Sequence, residues 1–302
     1  MKVGGLHHIT AMASSPQRNL EFYTEVLGLR LVKRTVNFDD PGTYHFYFGD
    51  PTGRPGSLLT FFPWPLARRG AMGSGETTTV TLAVAQGSLG GWLDRLDRHQ
   101  VEREAPRQRF GREGVRLRDP DGLILELVEG VAERGPHLAG VTLQVRDLDP
   151  TSEMLASAPF DLSLIEEGKD RRRFESATGE AIDLVAVPLV ERGRLGAGSV
   201  HHVAWRAADA AAQLALRSAL LGRGLSVTPV QDRRYFESIY FREPGGVLFE
   251  IATDGPGFHR DEARADLGRA LKLPPWLESE RRRIEEMLPE VDFAEGGASE
   301  DS

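Results

Sequence analysis

One pattern is written four times along this chain, and that repetition limits the fold more than any other feature. Residues 6–13 read as a strand. Ser14 and Ser15 are N-cap candidates, and Pro16 suits a first helical turn. Leu20, Tyr23 and Leu27 give the helix one apolar stripe, and Gly28 is placed to cap it. Strands follow at 29–36, 44–48 and 56–62. The order β-α-β-β-β then returns. The second unit has a strand at 79–84, a helix at 88–99, and strands 115–118 and 123–128 around Asp119-Pro120-Asp121-Gly122. The third has a strand at 140–145, a helix at 150–157 and a last strand at 181–187. The fourth opens with a strand at 199–205, continues with a helix at 207–223, and has strands at 225–229, 238–241 and 247–252. The chain is therefore expected to be α+β, with modules at 1–63, 76–130, 137–190 and 198–258 and an extension at 259–302. A unit of about 55 residues cannot bury its apolar face alone, so the modules must share cores.

Two anchors register the repeats. The residue four beyond the glycine that opens each last strand is Thr60, Glu126, Asp183 or Glu250. The residue seven before the entry to each helix is His8, Thr79, Gly140 or His202. His202 and Glu250 lie inside otherwise apolar strands, and burying either unpaired costs several kcal/mol. A divalent metal satisfies both. The chain has no cysteine, so such a metal would be held by histidine and carboxylate alone.

The net charge of −8 and pI of about 5.6 argue against a nucleic-acid partner. No run approaches the ~20 apolar residues of a membrane span, and residues 1–5 lack a secretory apolar region. A cytoplasmic location is expected, with no membrane partner.

Four βαβββ units, with histidine on first strands and glutamate on a last strand, resemble the vicinal oxygen chelate superfamily. The resemblance covers roughly residues 5–254. It implies that modules pair into two cup-like mixed β-sheets whose first and last strands supply metal ligands. Modules 1 and 2 would offer His8 and Glu126; modules 3 and 4 would offer His202, Glu250 and Asp183. Modules 1 and 4 would offer His8, His202 and Glu250, with Thr60 in the fourth position. Two histidines and a carboxylate with open positions make the facial triad of non-haem Fe(II) oxygenases. A glyoxalase-like isomerase or lyase would want a fourth protein ligand, which Thr60 does not provide. A protein that merely sequesters aromatic compounds would need no triad.

A closer resemblance is carried by Leu6-His7-His8-Ile9-Thr10, Leu31-Val32-Lys33-Arg34-Thr35-Val36, Tyr44-His45-Phe46-Tyr47-Phe48 and above all 229–258, including Gln231-Asp232-Arg233-Arg234-Tyr235-Phe236 and Gly245-Gly246-Val247-Leu248-Phe249-Glu250. These segments are similar to the hydroquinone ring-cleaving, extradiol-type dioxygenases. The resemblance implies that His8, His202 and Glu250 bind Fe(II), with Mn(II) as the alternative. It implies that His7, Thr10, His201, Arg233 and Tyr240 line the site, and that the partners are a small aromatic substrate and O₂. Oligomeric state is left open, with a homo-oligomer allowed.

Physical reasoning bears on several of these residues. Tyr240 and Glu250 are equidistant from Gly245, so a tight hairpin sets them opposite each other. Thr10 shares a strand face with His8. Arg233 could stabilise a phenolate or form a surface ion pair with Asp232 or Glu237. His7 and His201 should point away from the metal face unless a bulge re-aims them. Glu126 and Asp183 have Thr79 and Gly140 in place of histidine partners, so modules 2 and 3 are expected to form a metal-free cup. His45 reads as a cavity-wall residue. Residues 70–75 read as a connection, since no Gly-Lys-Ser/Thr follows. Residues 278–287 suggest a short charged helix packing through Trp276, Ile284 and Met287, and 290–302 an acidic disordered tail.

Overall fold

A computed structural model describes residues 2–109, 112–130 and 135–293. Most of the expected acidic tail, and residues 131–134 of the connection between modules 2 and 3, lie outside the described residues. Module 1 comprises β1 (Leu6–Ala13), α1 (Pro16–Glu21) with a π-helical turn over Phe22–Val26, β2 (Arg30–Asn37), β3 (Asp40–Gly49) and β4 (Leu58–Pro63). Module 2 comprises β5 (Glu76–Ala85), α2 (Leu89–Arg98), β6 (Arg107–Arg109), β7 (Arg112–Arg118) and β8 (Ile124–Gly130). Module 3 comprises β9 (His137–Val145), α3 (Leu148–Ala156), β10 (Ser163–Glu167), β11 (Arg171–Glu175) and β12 (Ala181–Ala186). Module 4 comprises β13 (Val200–Ala207), α4 (Ala210–Gly222), β14 (Gln231–Asp232), β15 (Phe236–Arg242) and β16 (Leu248–Pro256). A last helix, α5 (Arg281–Met287), follows in the extension.

The strands form two curled eight-stranded sheets. One has the order β14-β15-β16-β13-β1-β4-β3-β2 and joins modules 1 and 4; the other, β10-β11-β12-β9-β5-β8-β7-β6, joins modules 2 and 3. The first and last modules meet through antiparallel β1 and β13. This is the α+β, two-cup architecture expected from the sequence.

Register is uniform across the repeats. Each last strand runs parallel to its module's first strand, pairing Thr60 with Thr10, Glu126 with Thr81, Asp183 with Thr142 and Glu250 with Ala204. The glycines that open the last strands, Gly56, Gly122, Gly179 and Gly246, all have φ between 88° and 101°. Only glycine adopts that conformation without strain, which explains the recurring residue. Ser15 caps α1 by accepting a hydrogen bond from the Arg18 amide, and Pro16 occupies the first turn.

Alternation divides each strand between two faces. Ile239 and Phe241 pair with Ile251 and Phe249 on the face that joins the main apolar core, to which all four modules contribute. Ser238 and Tyr240 pair with Ala252 and Glu250 on the other, which lines the cup.

Two local expectations are corrected. Residues 225–229 do not form a ladder strand: Val227 makes one isolated bridge to Phe241, and regular pairing with β15 begins only at Gln231. Pro229 has no amide hydrogen to continue a ladder. In the extension, Ile284 is buried, but Trp276 and Met287 are each 47% exposed, and Leu273, Leu277 and Leu288 take the buried positions instead. Among the described residues no helix is long and apolar enough to cross a membrane.

Candidate metal centre

Three adjacent strands bring the candidate ligands together. Ala204 of β13 pairs with His8 of β1 on one side and with Glu250 of β16 on the other. His202 lies two residues from Ala204 and so projects from the same face. His8 Nε2 is 3.3 Å from His202 Nε2 and 3.4 Å from Glu250 Oε2, and His202 Nε2 is 2.9 Å from Glu250 Oε2. All three residues are buried. Among the described residues this is the one cluster of three side chains able to hold a metal ion.

The proton positions follow from the neighbours. His7 Nε2 is 3.2 Å from the Thr253 carbonyl oxygen, which can only accept, so that nitrogen carries the proton. Burial, assisted by the adjacent His8, pushes His7 down to about 3, so its ring is neutral. Its Nδ1 therefore accepts, at 2.9 Å, from His8 Nδ1–H. That leaves His8 Nε2 facing the centre. The second half repeats the contact, with His201 Nδ1 2.8 Å from His202 Nδ1. Burial is the largest effect on His202 and lowers it. Burial alone would raise Glu250, but the facing histidines hold it well below the usual carboxylate range. Ser238 Oγ donates to Glu250 Oε1 at 2.5 Å, and Oε2 is buried with no hydrogen-bond donor. Two imidazole nitrogens and a carboxylate oxygen thus converge. A divalent cation satisfies that donor set, and neutral imidazole with ionised carboxylate is the protonation state it requires.

Bulges account for His7 and His201. Pairing passes from Leu6–Trp205 to His8–Ala204, so His7 is an extra residue on β1. It passes from Thr10–His202 to Ala11–Val200, so His201 is an extra residue on β13. Simple alternation would have turned both away; each bulge instead leaves the imidazole beside a candidate ligand.

The remaining expected residues surround this centre. Tyr240 pairs directly with Glu250. Burial, reinforced by Glu250, raises its hydroxyl above the ordinary phenol range, with Arg233 partly opposing. Arg233 Nε donates to Tyr240 Oη at 3.2 Å, and its Nη1 pairs with Asp39 at 3.0 Å. The ion-pair partner is therefore Asp39, across the cup in module 1, and not Asp232 or Glu237. Thr10 Oγ1 is 2.8 Å from Thr60 Oγ1, which in turn is 2.9 Å from His45 Nε2. Thr60 is occupied by hydroxyl and imidazole contacts rather than joining the ligand cluster.

Sequence reasoning missed Ser238, Asp39, Tyr47 and the Thr253 carbonyl. Ser238 had a signal, since it lies two residues from Tyr240 on the same strand face. Tyr47 pairs with Thr60 just as Tyr240 pairs with Glu250, which the repeat register could have flagged. Asp39 is an exposed turn residue with no local mark. Also missed was the closure of one end of the cup. Lys33, fully buried on β2, is ion-paired with Asp261 and Glu262 and lies 4.7 Å from the Tyr235 ring centroid. Phe258 and Tyr235 pack together there, so the chain after β16 plugs that end.

The second cup treats its carboxylates differently. Glu126 pairs across the strands with Arg116, whose Nε is 3.3 Å away. Asp183 pairs with Arg173, which donates to it from two nitrogens at 2.6 and 2.7 Å.

Comparisons with known proteins agree with this architecture. The sequence profile of the Glyoxalase/Bleomycin resistance protein/Dioxygenase superfamily matches residues 5–127. The chain is 45% identical to the "Putative ring-cleaving dioxygenase MhqO" of Bacillus subtilis (strain 168), over 95% of this chain and 96% of that protein. It is 35% identical to the chlorohydroquinone/hydroquinone 1,2-dioxygenase of Sphingobium indicum, over 92% and 93%. The crystal structure of a "putative dioxygenase from Bacillus subtilis subsp. subtilis str. 168" superposes with a TM-score of 0.91 at 43% identity, covering 97% of this chain and 99% of that one. With its paired modules and a buried His-His-Glu centre, this chain belongs to the ring-cleaving dioxygenases of the glyoxalase, bleomycin resistance protein and dioxygenase superfamily.

Proposed function

We propose that this protein is a non-haem Fe(II) dioxygenase that opens the ring of a hydroquinone or related dihydroxylated aromatic and adds both atoms of O₂. The observation that carries this reading is the three-residue ligand set with Thr60 in the fourth position. A facial triad leaves one more position of a six-coordinate ion open to outside ligands than a four-ligand site does, which suits a metal that must take both a substrate oxygen and O₂. The hydroquinone dioxygenase activity named for the Sphingobium relative supplies the substrate class.

His8, His202 and Glu250 would hold Fe(II), with Mn(II) the alternative. Bound there, the ion provides redox coupling between an electron-rich ring and O₂. The chain's own groups do the rest. His7 accepts from His8 Nδ1–H, and His201 shares the matching contact with His202; both contacts fix the orientation of the candidate ligands, which supports metal affinity. Tyr240 and Arg233 form a hydroxyl–guanidinium pair beside Glu250 that can hold a substrate oxygen and settle its negative charge. Thr10 keeps Thr60 turned toward His45 and away from the ligand set. A para-dihydroxylated ring reaches the centre through one oxygen only, so its orientation depends on these surrounding groups.

The test is oxygen uptake after anaerobic Fe(II) loading. Stoichiometric O₂ consumption with a hydroquinone, lost on chelation, is expected. Protein shown to hold iron, yet consuming no O₂ with any hydroquinone or catechol, would contradict the reading.

A further inference from the structure

The wall opposite Tyr240 contains a second polar group whose placement is as deliberate as that of the triad. His45 projects from β3, two residues from Tyr47, on the strand face that Tyr47 shares with Thr60. Its ring is clasped between aromatic neighbours, with centroids 4.0 Å from Tyr47 and 4.2 Å from Phe62. Its Nε2 is tied at 2.9 Å to Thr60 Oγ1, which is tied to Thr10. Ring orientation is therefore fixed by two tilted aromatic contacts and one hydrogen bond. The imidazole lies deep enough that burial holds it neutral, and His8, His202, Arg233 and Glu250 are the charged or titratable groups it feels. It is nevertheless only half-buried, and its Nδ1 has no hydrogen-bond partner among the described residues.

A neutral imidazole held by one nitrogen between two aromatic side chains, with the other nitrogen unpartnered, can receive one hydroxyl. β3 is two strands from β1, on the order of 10 Å at ordinary strand spacing. A ring bound through one oxygen near His8 would extend its far side across that interval. We propose that His45 is a specificity-determining residue: its free nitrogen hydrogen-bonds the ring hydroxyl para to the oxygen at the metal centre. This rests on the reading that the cup takes a dihydroxylated ring, and it adds which residue selects the para arrangement. Thr60, in the fourth ligand position, then leaves the metal open and aims His45. A buried hydroxyl site left unfilled is expensive, so rings lacking that hydroxyl are discriminated against.

The experiment is anaerobic equilibrium binding of phenol, catechol and hydroquinone to metal-loaded protein, read by tryptophan fluorescence. It compares wild type with His45→Phe, His45→Gln and Thr60→Val. Wild type is expected to prefer hydroquinone to phenol by about ten-fold, the contribution of one such hydrogen bond. His45→Phe abolishes that preference while phenol and catechol affinities hold. His45→Gln retains part of it, and Thr60→Val, which releases the imidazole, falls between. A wild type without the preference, or a His45→Phe variant that keeps it, overturns the proposal. So does an equal loss for all three rings, since that would make His45 a shape element. These arms need no O₂, so absence of turnover would count against the dioxygenase reading without deciding the role of His45.

Discussion

The two cups are built alike and filled differently. Modules 1 and 4 share their backbone plan with modules 2 and 3, down to the bulges. His7 and His201 are the extra residues at the β1–β13 seam; Thr78 and Ala139 are the extra residues at the β5–β9 seam. The first-strand positions are His8 and His202 in one cup and Thr79 and Gly140 in the other. Beside the last-strand carboxylates stand tyrosine in one case and arginine in the other: Tyr240 opposite Glu250, but Arg116 opposite Glu126 and Arg173 opposite Asp183. A carboxylate buried on a last strand requires a cation. The second cup supplies its own as guanidinium. The first offers two histidines instead, which on the proposed reading leaves the cation to come from solution. The fold makes the position, and the neighbouring side chain decides whether a metal is wanted.

That contrast can be broken most forcefully at the carboxylates. Glu250→Ala or His202→Ala should lower metal affinity by more than the roughly 100-fold cost of losing an outer partner, and abolish O₂ uptake. Glu126→Ala should leave both unchanged, by metal analysis and oxygen electrode. Equal losses from the two glutamates would erase the distinction.

The plug is next in size. Lys33→Met leaves the buried Glu262 without its ammonium, while Asp261 keeps Arg234 and the Tyr235 hydroxyl, at a cost of roughly 3–5 kcal/mol in denaturant unfolding. A cost below about 1 kcal/mol would mean the plug opens freely.

The bulged histidine can be tested against its twin. His7→Phe removes the acceptor for His8 Nδ1–H and should weaken metal binding about 10–100-fold, whereas Thr78→Val should not change it.

Acid gives a graded effect rather than an all-or-none one. His7 and His201 are both held to about 3, chiefly by burial, against an ordinary value of 6.5. The unfolded chain takes up these protons below about 6.5 while the folded protein resists until about 3. Stability should therefore be lost as pH falls across that window, by ~1.4 kcal/mol per pH unit for each histidine. His201→Phe should shift the acid midpoint of metal-free protein downward, and an unmoved midpoint would place the acid-sensitive groups elsewhere.

The repeat, the pairing of the outer modules and the clustering of His8, His202 and Glu250 were legible because each rests on a local chemical necessity. Gly246 must adopt a positive φ, Ser15 must cap a helix, and Glu250 must find a cation. From those anchors His8, Thr60, His202 and Glu250 could be counted into register. The bulges were not legible, since neither His7 nor Thr78 carries a glycine or proline to mark an extra residue. Reading 225–229 as a strand followed its alternation and underweighted the missing amide of Pro229. Asp39 and Lys33 act through partners about two hundred residues away, at separations of 194 and 228–229, and no local pattern reveals such a pairing.

The most direct test of the central contrast is anomalous scattering at the iron edge from crystals of anaerobically Fe(II)-loaded protein. One peak between His8, His202 and Glu250, with none between Glu126 and Asp183, is the predicted result. A peak in the second cup, or an empty first cup in protein that binds iron, would contradict it.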